Sequence, residues 1–202
     1  MNLLPQSDES IRDEILEHLN KKYDMEFTAL ALDRGHSELL LCHVKEGDPE
    51  ADLVHAKRLV RDDGIEITDT YFGIVIREEI EADILSILSG VDLKMRVFYP
   101  SNDYFYDNMF DNTKNYADFK QWIDDGNPWR FDVSIILFMD DVTEGEAYAD
   151  HVFEIIDEAG FRGYIYLTVL PEEGYENITR TNLNDLISQY DGETALFTKS
   201  VN

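Results

Sequence analysis

The stretch from Phe131 to Leu170 constrains the fold most. Phe131 to Met139 is an apolar run of strand length, and residues 144–159 carry Ala147, Tyr148, Val152, Ile155 and Ile156 at helical spacing. Gly160 stops that helix, and Phe161 to Leu170 runs apolar again as far as Pro171. Extended runs on either side of an amphipathic helix predict a strand–helix–strand unit. The first ninety residues follow a different plan. Ser7 or Ser10 is placed to cap a helix that opens on acids, buries Ile11, Ile15, Leu19 and Tyr23, and closes on Lys21 and Lys22, as the helix dipole prefers. Residues 25–33 and 38–45 read as strands joined through Arg34-Gly35-His36, and Gly47-Asp48-Pro49 breaks the second. Residues 53–61 and 65–68 predict a hairpin around Asp62-Asp63-Gly64. Asp69 then caps a long helix over 70–88. Its two apolar stripes, Tyr71, Ile74, Val75, Ala82, Leu85 and Leu88 beside Ile76, Ile80, Ile84 and Ile87, predict burial on both sides between layers.

Further strands are expected at 93–99 and 194–199, and further helices at 116–124 and 182–189. The expectation is therefore an α+β protein, with antiparallel or mixed sheets packed with four to five helices. Gly90 marks a boundary between lobes 1–90 and 91–202, unless the two merge into one continuous domain. Composition sets the electrostatics. The chain has 43 Asp or Glu against 17 Lys or Arg, a net charge of −26. Leu, Ile, Val and Phe nevertheless number 59 of 202 residues, well above the roughly 20% below which a highly charged chain stays disordered. Such a charge opposes an unaided nucleic-acid or anionic-membrane binder, because both need a positive field.

Cys42 is the only cysteine, so no intrachain disulfide can form; it sits in the apolar run Leu39 to Val44 and reads as a small core residue. No membrane span is expected, since no window approaches 18 apolar residues. Met1 to Glu9 has neither a basic region nor an apolar run of signal length, which predicts a cytoplasmic chain unless a leader or anchor has been removed.

Two segments carry a resemblance. Leu19-Asn20-Lys21-Lys22-Tyr23-Asp24-Met25-Glu26-Phe27 and Ile67-Thr68-Asp69-Thr70-Tyr71 resemble uncharacterised small proteins and lipoprotein ectodomains of Gram-positive bacteria. In those, a Lys-Tyr-Gly-x-x-Phe pattern leads from a helix into a sheet, and Asp-x-Tyr opens the next helix. The resemblance spans residues 15–88, with Asp24 where the pattern prefers glycine. It implies a small α+β fold and carries no catalytic residues.

No phosphate-cradling glycine pattern, G-x-S-x-G elbow or H-E-x-x-H occurs. Glu14 with His18, and His151 with Glu154, sit at ligand spacing on helices, but exposed Glu/His pairs arise easily in so acidic a chain. The EF-hand pattern fails over Asp140 to His151, which has Val142 at the third position and His151 at the twelfth. No cofactor or metal is expected, and catalysis survives only as a hydrolase using two carboxylates. The surplus of acid points instead to a basic protein partner, recognised without catalysis, as by an immunity or antitoxin protein; a solvated acidic surface without specific purpose is the plain alternative. The candidate surface is the segment holding Asp103, Tyr104, Phe105, Tyr106, Asp107, Phe110 and Asp111. Acids every four residues would repel along a helix, so a loop is expected. Its aromatics serve either as interface anchors or as pins onto the core.

Overall fold

Alternation of buried and exposed residues organises the chain into two four-stranded sheets, each with its own helices. A computed structural model describes residues 6–35, 37–100, 104–127, 131–190 and 194–201; His36 and Asp103 lie outside these. The fold is α+β. It divides into two compact units, one of residues 1–76 with 101–115 and the other of 77–100 with 116–202. The division thus runs through a helix rather than at Gly90, and the 101–115 segment belongs with the first unit.

In the first unit, α1 (Asp8–Tyr23) is capped by Ser7, whose Oγ accepts the Ser10 amide at 3.2 Å. The residue that follows α1, Asp24, takes the left-handed conformation with φ 53°. A side chain there is strained, and Asp is among the few residues that tolerate it. Four antiparallel strands follow in sequential order: β1 (Phe27–Asp33), β2 (Glu38–Val44), β3 (Val54–Arg61) and β4 (Gly64–Asp69). Ile11, Ile15, Leu19 and Tyr23 of α1 pack onto the inward residues Phe27, Leu40, Cys42, Val54, Ala56 and Ile67. Burial pushes the Cys42 thiol up to about 12, so it stays protonated and inert. A cation enters this interior: Arg58 is 3% exposed and its guanidinium is held by Glu14 at 2.9 Å, by Glu38 and by Gln6.

The helix α2 (Tyr71–Ile87) buries Phe72, Ile76, Ile80 and Ile84 along one side, and Tyr71 at its start. Val75, Ala82 and Leu85 are exposed, so α2 is not enclosed on both sides as its two apolar stripes predict.

The second unit holds β5 (Lys94–Phe98), α3 (Tyr116–Asp124), β6 (Phe131–Met139), α4 (Gly145–Glu158), β7 (Gly163–Pro171), α5 (Leu183–Gln189) and β8 (Ala195–Val201). The sheet order is β5-β6-β7-β8; β6 and β7 are parallel, joined by α4, and the two outer pairs are antiparallel. A two-residue turn cannot join parallel strands, so a long crossover between them is a topological necessity, and α4 supplies it. α4 lies close on β7: a Cβ at Gly145 would stand 3.0 Å from Val169 Cγ2. On the other face of this sheet, Ile136, Phe138 and Leu170 pack with Ile178 and Leu186. Among the described residues no helix is long and apolar enough to cross a membrane.

Candidate partner-binding surface

The acid and aromatic segment is tied to the first unit by a buried charge. Asp69 is 0% exposed, and its Oδ2 accepts the Lys22 ammonium at 2.7 Å, a side chain itself only 4% exposed. Its Oδ1 accepts the Tyr23 hydroxyl at 2.8 Å and the Tyr71 amide at 2.9 Å, which caps the start of α2. Burial first, and the Asp69 charge second, push the Tyr23 hydroxyl far up, so it remains a donor. Tyr23 and Tyr71 meet edge to face at 4.7 Å between centroids, with Phe27 at 5.0 Å from Tyr71. Segments 19–27 and 67–71 therefore meet around one carboxylate.

The same groups hold the loop. Lys22 Nζ also donates to the Asp107 carbonyl at 3.1 Å, and Tyr23 Oη lies 3.2 Å from the Phe110 carbonyl. Tyr106 pairs with Asp69 as a lone antiparallel bridge on the β4 edge. Tyr106 and Phe110 are 1% and 3% exposed and pack against Phe72 at 5.2 and 4.9 Å. These two are core residues and offer a partner no side chain, a correction to their place on the candidate surface. The cause is long-range packing within the chain, since each finds Phe72 from a distant segment. Asp111 is occupied locally: its Oδ1 accepts the Thr113 amide and hydroxyl at 2.9 and 2.6 Å, which holds the carboxyl below its usual range. Tyr104 is partly buried, while Phe105 and Asp107 are exposed, with Lys57 Nζ 5.9 Å from the Phe105 ring. Asp103 lies outside the described residues.

His18 fastens the loop at one further point, its Nε2 2.9 Å from Asn108 Oδ1. Burial is the main cause that lowers the His18 pKa from 6.5. A His depressed in the folded state stabilises it fully above the unfolded value and less as pH falls through the folded one. Thermal unfolding between pH 7.5 and 5.5 should therefore show a loss of midpoint that is smaller in His18→Gln, whose amide still donates to Asn108. An equal loss in both proteins would remove His18 from the account.

Neither Glu/His pair gathers ligands. Glu14 is paired with Arg58 and His18 with Asn108; among the described residues no group of three or more His, Cys, Asp or Glu converges to hold an ion.

A different acidic surface lies on the strand–helix–strand unit. From 131 to 161 the chain has nine Asp or Glu and no Lys or Arg. Glu146, Asp150, Glu154, Asp157 and Glu158 are exposed on α4, preceded by Asp140, Asp141 and Glu144, also exposed. Among the described residues none of the α4 acids forms an ion pair. Beyond the carboxyl end of β6 a cleft of about 580 Å³ is lined by Asp92, Asp140, Asp141, Glu144 and Glu172, with Lys94 the one cation in it. Lys94 Nζ lies 2.5 Å from Glu172 Oε1, and this bond, then contact with Asp140, holds the Glu172 carboxyl below its usual range. The crevice outside the carboxyl ends of parallel strands is where open α/β sheets place ligands.

The chain matches no protein family, no curated protein and no solved structure. The apolar spacing of residues 144–159 marks only the buried side of α4 and gives no sign of its acidic flank. The usable signal was the lack of any cation between Arg130 and Arg162.

Proposed function

We propose that the chain is a non-catalytic binding protein for a basic protein partner, in its sharpest form an immunity or antitoxin-type inhibitor that sets carboxylates where a cationic toxin would bind phosphates. The carrying observation is the exposed, uncompensated acidic face from Asp140 to Glu158. Like charges four apart, as at Glu146, Asp150 and Glu154, cost a helix about 0.2–0.5 kcal/mol per pair, and a cationic partner relieves that repulsion. The loop contributes Phe105 and Asp107 to a second, smaller acidic and aromatic patch. A cytoplasmic location and independence of cofactors belong to the same proposal.

Contact between Asp140 and Glu172 favours the second reading, a hydrolase with paired carboxylates. General acid catalysis needs one carboxyl raised towards neutrality, whereas the carboxyls that shift at Glu172, Asp141, Asp111 and Glu26 all shift downward. That direction supports binding over hydrolysis.

The test is a pull-down from the native organism's lysate, eluted by a salt step and read by mass spectrometry. The expected result is one basic protein released by salt and lost when Glu146, Asp150 and Asp157 are replaced by lysine. Recovery of no basic protein above background would sink the proposal.

A further inference from the structure

Sheet edges expose unpaired backbone donors and acceptors, and natural proteins protect them with bulges, charges, short length or a covering segment. Three of the four edges here are protected. The β4 edge is occupied by Tyr106. The β1 edge is interrupted by a bulge between Ala29 and Ala31. The five-residue β5 carries Lys94 and Arg96. The remaining edge, β8, has no bulge in its pairing and a single charge, Lys199, which is turned to the Phe153 ring. Its seven residues, Ala-Leu-Phe-Thr-Lys-Ser-Val, pair with β7 in unbroken register from Ala195 to Val201, with one charge and no proline. Among the described residues no strand covers its outer side.

The acidic flank of α4 lies over this edge. Lys199 Nζ of β8 stands 5.6 Å from the Phe153 ring, which fixes the Phe153 side of α4 as the side towards β8. Glu146, Asp150 and Asp157 lie seven and three residues before and four after Phe153, so helical periodicity sets them on that flank, all exposed. A strand added to β8 would run about 4.8 Å further out, with alternate side chains pointing up beneath those acids. Its other side chains would face the opposite surface, where Tyr164, Tyr166 and Leu196 are exposed.

We propose that the basic partner docks by strand addition: an extended segment alternating basic and uncharged residues pairs with β8 as a fifth strand, its basic side chains facing α4. This rests on the function proposed above and specifies how the partner is held. A second copy of the chain fits the edge less well. A two-fold β8 pair would bring two acidic α4 flanks together in molecules that each carry −26.

The experiment uses the full chain and a labelled ten-residue peptide of alternating lysine and threonine, with a control of equal charge in which alternate backbone amides are N-methylated. Anisotropy at about 50 mM salt measures binding, and hydrogen exchange follows the amides of Ala195–Val201. Strand addition predicts at least tenfold weaker binding of the methylated peptide and slowed exchange in β8 when the parent peptide is present. Equal binding of both peptides without protection of β8 would overturn strand addition and leave the acidic binding function standing. No binding of either peptide would overturn both. A dimer in sedimentation equilibrium that strengthens with salt, with β8 already protected, would overturn the proposal in favour of self-pairing.

Discussion

Replacing Lys22 with methionine should destabilise the protein by about 3–5 kcal/mol, the range for removing one partner of a buried ion pair. Methionine keeps most of the apolar stem, so the loss comes from the Asp69 carboxylate, which is 0% exposed and would keep only the Tyr23 hydroxyl and the Tyr71 amide as donors. The deficit against the parent protein is read by urea unfolding at pH 7. Adding Asp69→Asn to Lys22→Met should recover most of the loss, because neither charge remains and the amide oxygen can still cap Tyr71. A cost below about 1 kcal/mol for the single variant would mean that water reaches the pair and that it does not fasten the loop.

Reversing the acids over the β8 edge should have the largest effect on association. A field of one sign accelerates encounter with an oppositely charged partner by about 10- to 1,000-fold at low salt. The triple variant Glu146→Lys, Asp150→Lys, Asp157→Lys should lose most of that gain in association rate, and the difference should fade in about 0.5 M salt as screening shortens the field. A control of equal charge change, Glu9→Lys, Asp13→Lys and Glu17→Lys on the exposed side of α1, separates a local surface from net charge. Stopped-flow association with the partner recovered by pull-down is the measurement. If the control slows association as much as the α4 variant, charge acts only globally and the α4 flank is not the docking surface. Stability should change little in the α4 variant, since exposed substitutions relieve as much repulsion as they remove dipole attraction.

Local signals carried the secondary structure a long way. The helix at 116–124 and the strand at 131–139 coincide with α3 and β6, because each is bounded by strong turn chemistry and holds one period throughout. The hairpin about Asp62-Asp63-Gly64 is present as β3 and β4, since a tight turn and alternation act on neighbours in the chain. The long helix shows where such reasoning stops. Both of its apolar stripes are equally visible in the letters, yet Ile76, Ile80 and Ile84 are buried while the other stripe buries its ends, Tyr71 and Leu88, and exposes Val75 and Leu85.

The candidate site was less legible for the same reason. Tyr106 and Phe105 are adjacent aromatics in an acidic segment, but one is 1% and the other 36% exposed. Nothing local separates them; the edge of β4 and the Phe72 ring do. Lys22 and Asp69 each stand in the segments that carry the resemblance, and nothing in their spacing announces that residues 47 apart form a buried pair. The sequence by itself determined an α+β chain, its strand and helix periods, its turns and an acidic surface, because these depend on short-range sterics and on composition. Tertiary structure alone decided which aromatics face inward, which charge is buried and which sheet edge stays open beneath the acids of α4, because burial is set by neighbours that the chain brings together only on folding.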